Sequence, residues 1–225
     1  MKQFLLFFIL IMSATPELSA QYRQRVSLSL GGGVAFPTDP ADFSDNWKTG
    51  YGITGELEIP IFRGDIALVG AYRYNFFPFD EVEFRDTFLS SGQQPQTITR
   101  IDAPDAVFRG ATIGGKYYAF LGAFYTRLDV GYFTLSRGIV SVVGPDTTTT
   151  TNFISKNGTL INLGAGMTIP LSTLFDGIVE ASYYWAKSDQ DERTGSTIFS
   201  GLGSREAERK NTFILNMRAV VRLKL

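Results

Sequence analysis

The 225-residue chain contains no cysteine and no histidine. Without cysteine there are no disulfides, no thiolate nucleophile and no zinc–thiolate site. Without histidine, no imidazole titrates near neutrality to serve a serine–histidine or aspartate–histidine hydrolase. An excess of one charge sign is lacking too. The 21 Lys+Arg against 22 Asp+Glu leave a formal net charge of −1, so the electrostatic footprint of a nucleic-acid binder is absent. Beyond the N-terminus there is no long apolar run and no stretch with a helical period.

What is present begins with MKQFLLFFILIMSATPELSA: Lys2, an apolar run from Phe4 to Met12, and a Leu18-Ser19-Ala20 ending. This pattern predicts a secretory signal peptide over residues 1–20, cleaved before Gln21. The run is far short of the ~20 residues a spanning helix needs. No cysteine follows it, so a cysteine-anchored lipoprotein is excluded. Gln21–Leu225 is an ordinary length for one domain.

Within that domain, apolar and polar residues alternate with period 2 in eight segments. They are Val26–Phe36, Tyr51–Ile61, Ile66–Phe76, Ala111–Ala119, Phe124–Tyr132, Ile161–Ile169, Val179–Trp185 and Phe213–Leu225. Their lengths are near the ~9–11 residues with which a tilted strand crosses a bilayer. The links between them sort by length. Phe62–Asp65, Leu121–Ala123 and Leu171–Asp176 are short; Pro37–Thr49, Phe77–Asp105, Arg137–Gly158 and Lys187–Arg209 are long and polar. Short and long alternate strictly, which puts every short turn at one end of the strands. The expected fold is all-β: an up-and-down antiparallel eight-stranded transmembrane β-barrel with short periplasmic turns and long extracellular loops. A soluble sandwich also alternates, but its strands average ~5–6 residues and it rarely sorts its loops by end.

On this architecture the chain resembles the eight-stranded outer-membrane barrel family, the OmpA-like and OmpX-like transmembrane domains, over essentially Gln21–Leu225. The resemblance implies export to the outer membrane of a Gram-negative bacterium and contact with its lipid and lipopolysaccharide. It also implies assembly by the barrel-assembly machinery. That family's assembly signal is an alternating last strand ending in an aromatic; Phe213–Leu225 alternates but ends in Leu225. A peptidoglycan-binding domain after the barrel, as larger relatives carry, is not expected.

Energetics orient the strands. A lipid-facing Arg or Lys near the bilayer midplane costs about 2–4 kcal/mol. The face carrying Glu56, Glu58, Arg73, Lys116, Arg127, Asp129, Glu180, Arg218 and Arg222 is therefore expected inside. Both signs in near balance suit a salt-bridged plug, structural in role, with an ion-selective conduit gated by the same pairs as the functional reading. Across the short turns, Glu56 is expected near Arg73, and Lys116 near Asp129.

The triple glycine of LSLGGGVAFP is not a phosphate cradle, because Pro37 and a polar loop follow it where a helix would be needed. By alternation Gly31 and Gly33 face the lumen, as Gly164 and Gly166 do, and leave room for the long charged side chains. Aromatics near segment ends predict two interfacial belts. Tyr51, Tyr74, Phe76, Tyr132 and Trp185 fall on the loop side, and Phe62, Tyr117, Phe124 and Phe175 on the turn side.

No catalytic residue, cofactor or metal site is expected. The acidic loop residues Asp39, Asp42, Asp45, Asp80, Glu81 and Glu83 match no calcium-loop spacing. The sequon Asn157-Gly158-Thr159 carries little meaning on its own. The expected function is non-enzymatic: a monomeric barrel in a structural or surface-interaction role, with a side-chain-filled lumen. A protein partner is expected at the longest loop. There Val82, Phe84, Phe88 and Leu89, together with Arg137–Val143, suggest strands prolonged into a protruding sheet open to strand addition. A narrow porin-like channel or secretion-system barrel, and a soluble periplasmic lipocalin-like ligand-binding barrel, remain open.

Overall fold

Strands with two chemically different faces need a surface on each side, and here closure provides the inner one. The computed structural model describes residues 25–61, 65–90, 98–144, 148–152, 155–188 and 211–225. The expected leader, Phe62 and the turn residues 63–64 lie outside these. Eight long antiparallel strands close into a barrel: β1 (Ser27–Asp39), β2 (Gly50–Ile61), β3 (Ile66–Phe77), β5 (Ala106–Ala119), β6 (Phe124–Ser136), β9 (Lys156–Pro170), β10 (Phe175–Ser188) and β11 (Thr212–Lys224). Their order around the wall is β1-β11-β10-β9-β6-β5-β3-β2, so the first and last strands pair and no edge is left open.

Closure requires tilt. Inward positions followed from Phe108 through Asn75, Gly52, Gly33, Arg218, Glu180, Gly166 and Tyr125 return to β5 at Tyr118. That return point is displaced along β5 from its start by the stretch Phe108–Tyr118. Strands so staggered incline at roughly 35–45° to the axis, around an interior only wide enough for side chains.

The turn end is economical. Phe120–Gly122 forms one 3-10 turn between β5 and β6, and Gly122 takes φ 87, a conformation that favours glycine. Between β9 and β10, the Ser172 hydroxyl accepts the amides of Leu174 and Phe175 at 3.2 and 3.0 Å.

The loop end carries its own structure. α1 (Ala41–Ser44) and α2 (Glu81–Ser90) sit in the first two long connections. The short strands β4 (Arg100–Asp102), β7 (Ile139–Val143) and β8 (Thr148–Asn152) form a separate sheet in the order β4-β7-β8. The expectation of a strand over Val82–Leu89 is corrected here, because this stretch is the helix α2. Asp80 decides it: its carboxylate accepts the amides of Val82 and Glu83 at 3.2 and 3.3 Å, a helix N-cap reinforced by Glu81 and Glu83 in the first turn. The sheet over the barrel is built from Arg100–Asp102, Ile139–Val143 and Thr148–Asn152, so the expected Arg137–Val143 stretch does contribute a strand.

These loop elements are docked. Lys48 N–H donates to the Pro78 carbonyl, and Asp80 N–H to that of Asn46, both at 2.8 Å. Trp47, Phe43, Phe79, Phe84, Ile101, Val140 and Val142 are buried in one cluster with Phe77, Phe108, Phe133, Leu135, Leu160, Tyr184 and Ile214. The latter set points inward from the loop-side thirds of the strands. The apolar core therefore fills the mouth of the barrel.

The outer wall is the reverse of a soluble surface. Leu30, Ile53, Ile113, Leu128, Leu163, Val179, Met217 and Val221 are all exposed, Leu30 by 70% and Ile53 by 62%. An exposed apolar zone running around a closed barrel far exceeds the isolated patches of soluble monomers.

Candidate functional site

The candidate site is the lumen, and each strand's period fixes what enters it. Glu56 and Glu58 come from β2, Arg73 from β3, Lys116 from β5, Arg127 and Asp129 from β6, Glu180 from β10, and Arg218 and Arg222 from β11. All nine are buried, Arg73 completely. Their outward neighbours in sequence are apolar or small, so turning any strand over would exchange charge for hydrocarbon along its whole length.

The charges form two linked centres. In the upper one, Glu56 accepts Arg127 Nη1 at 2.5 Å and Lys116 Nζ at 3.1 Å, and it is also bonded to Arg218. Glu180 accepts Arg218 at 2.7 Å, Arg127 at 3.2 Å and the Tyr125 hydroxyl at 2.6 Å. Asp129 accepts Arg73 at 3.0 Å and Asn162 Nδ2 at 2.7 Å, and also binds Arg127. In the lower centre, Asp176 accepts Arg222 at 2.7 Å and Lys224 at 2.9 Å. Glu58 accepts the Tyr118 hydroxyl at 2.5 Å, Lys116 at 3.0 Å and Arg222 at 3.3 Å. Lys116 thus joins the two centres.

Five carboxylates (Glu56, Glu58, Asp129, Asp176, Glu180) meet five buried cations (Arg73, Lys116, Arg127, Arg218, Arg222), with Lys224 at the rim. Buried charge is tolerable only with such pairing, because desolvating each ion alone costs several kcal/mol. Arg73 also lies over the Tyr184 ring, Lys116 over Tyr125 and Arg222 over Tyr118.

The partners of Lys116 differ from the one expected on the adjacent strand. Lys116 stands opposite Arg127 in register and turns away from it. It reaches past β3, where the inward residues Ala67, Val69 and Ala71 are small or apolar, to Glu56 and Glu58 on β2. Asp129, its expected partner, is taken by Arg73, Arg127 and Asn162. Glu56 faces Ala71 in register and pairs diagonally with Arg73 at 3.9 Å, while Arg73 donates hydrogen bonds to Asp129 and Thr112.

Sequence reasoning left several lumen residues out. Asp176 was placed in a turn, yet it is the second residue of β10 and fully buried. Tyr118, Tyr125 and Asn162 belong to the network as well. The alternation already puts Tyr118, Tyr125 and Asn162 on the inward faces of their segments, and continuing it from Val179 back to the strand start adds Asp176.

Small residues lie where the network needs space. β1 contributes only Ser27, Ser29, Gly31, Gly33 and Ala35 to the interior. A Cβ at Gly164 would stand 3.0 Å from Arg127 Cγ, and one at Gly166 would meet the Tyr125 ring. At Gly33 it would lie 2.6 Å from Arg218 Cα, and at Gly31 2.8 Å from Val220 Cα.

Along the axis the lumen changes character. Above the charges comes a neutral ring of buried Thr54, Asn75, Thr112, Asn162, Ser182 and Asn216. Above that come the stacked rings of Phe108, Phe133 and Tyr184, 5.6 and 6.0 Å apart, then Trp47 and Phe79 from the loops. Arg137 lies over Trp47. Among the described residues, no group of acidic side chains could hold a metal ion.

On the outside, Tyr51, Tyr74, Phe76, Tyr132 and Trp185 point outward near the loop end. Tyr117, Phe124 and Phe175 do so near the turns. Phe213 joins the loop-end set, stacking on Tyr183 at 5.6 Å and Trp185 at 6.4 Å.

No family model matches the sequence, and no curated protein matches it. Solved structures with a similar fold include Ail, the attachment invasion locus protein of Yersinia pestis, at 13% identity and TM-score 0.48 over 88% of this chain and 99% of that one. Neisserial surface protein A is similar at 11% identity and TM-score 0.44, over 89% and 97% of the two chains. So is the N-terminal β-barrel domain of Pseudomonas aeruginosa OprF, at 10% identity and TM-score 0.38, over 88% and 98%. What the chain shares with these proteins is the closed eight-stranded antiparallel barrel.

Proposed function

We propose that this chain is a non-enzymatic integral outer-membrane protein whose sealed barrel carries a folded loop-end surface for interaction with other molecules. The observation that supports it most directly is the inversion of the wall: exposed hydrocarbon outside, paired charge inside. A closed strand barrel satisfies its backbone internally, as a bilayer requires. The barrel's role is then mechanical. Ion pairs and the aromatic mouth fill the lumen, so the protein works by what it holds at the surface. The small β4-β7-β8 sheet, anchored through Ile101, Val140 and Val142, is the part offered to a partner.

A soluble ligand-binding barrel would keep an apolar cavity within; here the central lumen is crossed by ion pairs. Membrane fractionation with heat-modifiable gel mobility tests the reading. The folded protein is expected in the membrane fraction and to shift on boiling. A protein that is released by salt washing and shows no shift would overturn it.

A further inference from the structure

The outer wall carries almost no charge. Among the described barrel strands the only exposed charged side chains are Asp39, Arg109 and Lys187. Asp39 ends β1 and Lys187 is the penultimate residue of β10. Arg109 is different: it is the fourth residue of β5, level with the loop-end aromatics.

Its surroundings are specific. In register it lies between Tyr74 of β3 and Thr134 of β6, and the next position on β9 is Asn157. All four point outward, and the tilt of the strands makes this row climb toward the loops. The guanidinium lies over the Tyr74 ring, 5.7 Å from its centroid. Among the described residues it makes no ion pair and no hydrogen bond. Every other guanidinium of the barrel strands has carboxylate partners inside the lumen. Toward the turns the same wall is apolar, with Ala111, Ile113, Val130 and Leu128 outermost.

We propose that Arg109, flanked by the Tyr74 and Thr134 hydroxyls, binds the phosphate of an anionic membrane lipid whose acyl chains lie along β5 and β6. This rests on the membrane-spanning reading above. An unpartnered cation at headgroup depth has one abundant counter-charge, the lipid phosphate. A guanidinium presents a planar fork of donors that matches it bidentately. Stacking on Tyr74 pre-orients that fork, and the neighbouring hydroxyls and the Asn157 amide supply further donors to the same headgroup.

The test uses native mass spectrometry of the folded full-length protein in detergent with added phosphatidylglycerol or phosphatidylcholine. The wild type should retain phosphatidylglycerol in preference to phosphatidylcholine. Arg109→Gln should weaken retention about fivefold, the value of one cation at a membrane surface. Arg109→Lys should be intermediate. Arg100→Gln, which removes an exposed cation already paired with Asp102, should behave as wild type. Equal retention by Arg109→Gln, with its heat shift unchanged, overturns the lipid site and leaves the barrel reading standing. Release of the lipid by inorganic phosphate at matched concentration assigns the site to a dissolved anion and overturns it too. A wild-type protein that never shows heat-modifiable folding overturns both readings together.

Discussion

Glu56 and Arg218 form an ion pair across a strand that neither belongs to. Glu56 is on β2 and Arg218 on β11, and β1 runs between them. Opposite them in register stand Ser29 and Gly33, with Gly31 in the middle. The small inward residues of β1 make a trough, and the two long side chains close over it. The triple glycine of the first strand and the ion-pair network are one device.

Filling that trough should prevent assembly. A side chain at Gly33 would press on the Met217 carbonyl and on Arg218, where the contact is largely backbone and cannot yield. Gly33→Leu is expected to abolish the folded, heat-modifiable form. At Gly32, which faces outward, the nearest atom to an added Cβ is 3.4 Å away, so Gly32→Ala should fold normally. The ratio of folded to unfolded bands on unboiled gels measures both.

Removing Glu56 should cost more than removing a typical buried side chain. Lys116, Arg127 and Arg218 all lean on that carboxylate. Glu56→Ala leaves buried cations short of a partner, with an expected loss of about 3–5 kcal/mol. Replacing Arg218 in the same background should cost less than the sum of the two single changes, since contacting residues do not add. Urea unfolding in lipid vesicles, read through a double-mutant cycle, gives the coupling energy.

The wild-type barrel should be electrically silent. A permeating ion would have to part Arg127 from Glu56 and Glu180, then pass the stacked Phe108, Phe133 and Tyr184. Planar-bilayer recording of purified protein is expected to show no steady conductance. Regular unitary steps would mean that the network moves and would favour a channel.

The loop-end sheet should detach without loss of the barrel. Val142 is buried under it, within the mouth core. Val142→Asp places a charge there and should free the sheet, raising protease cleavage within residues 98–144 of the reconstituted protein. The heat shift should persist, because the wall's ladder does not depend on that contact.

Much of this fold was legible in the sequence, and the reasons are local. A period of two across Tyr51–Ile61 or Ile161–Ile169 states which side chains share a face, and the charges state which face avoids hydrocarbon. Link lengths told the two ends apart. Helix α2 was missed because the apolar residues Val82 and Phe84 were weighed as a strand, while the capping pattern opened by Asp80 and Glu83 was not. The aromatic mouth was missed because Phe108, Phe133 and Leu160 fall on the polar faces at their loop-side ends. Their burial is explained only once Trp47, Phe79 and Phe84 are folded over them.

By itself, the sequence determined strand number, facing, the balance of charge inside, and the small inner surface of β1. The tertiary structure alone decided which charges meet across an intervening strand. A closed, tilted wall shifts each strand against the next, and the shifts accumulate around the circumference until β5 meets its own row again between Phe108 and Tyr118. Arg218 and Arg222 meet Glu180 and Asp176 directly beside them in register, but side chains this long also reach counter-charges one strand further on. Arg218 reaches Glu56 across β1 because the first and last strands pair, and Lys116 reaches Glu58 across the small inward residues of β3. No pairing rule for adjacent strands contains that information.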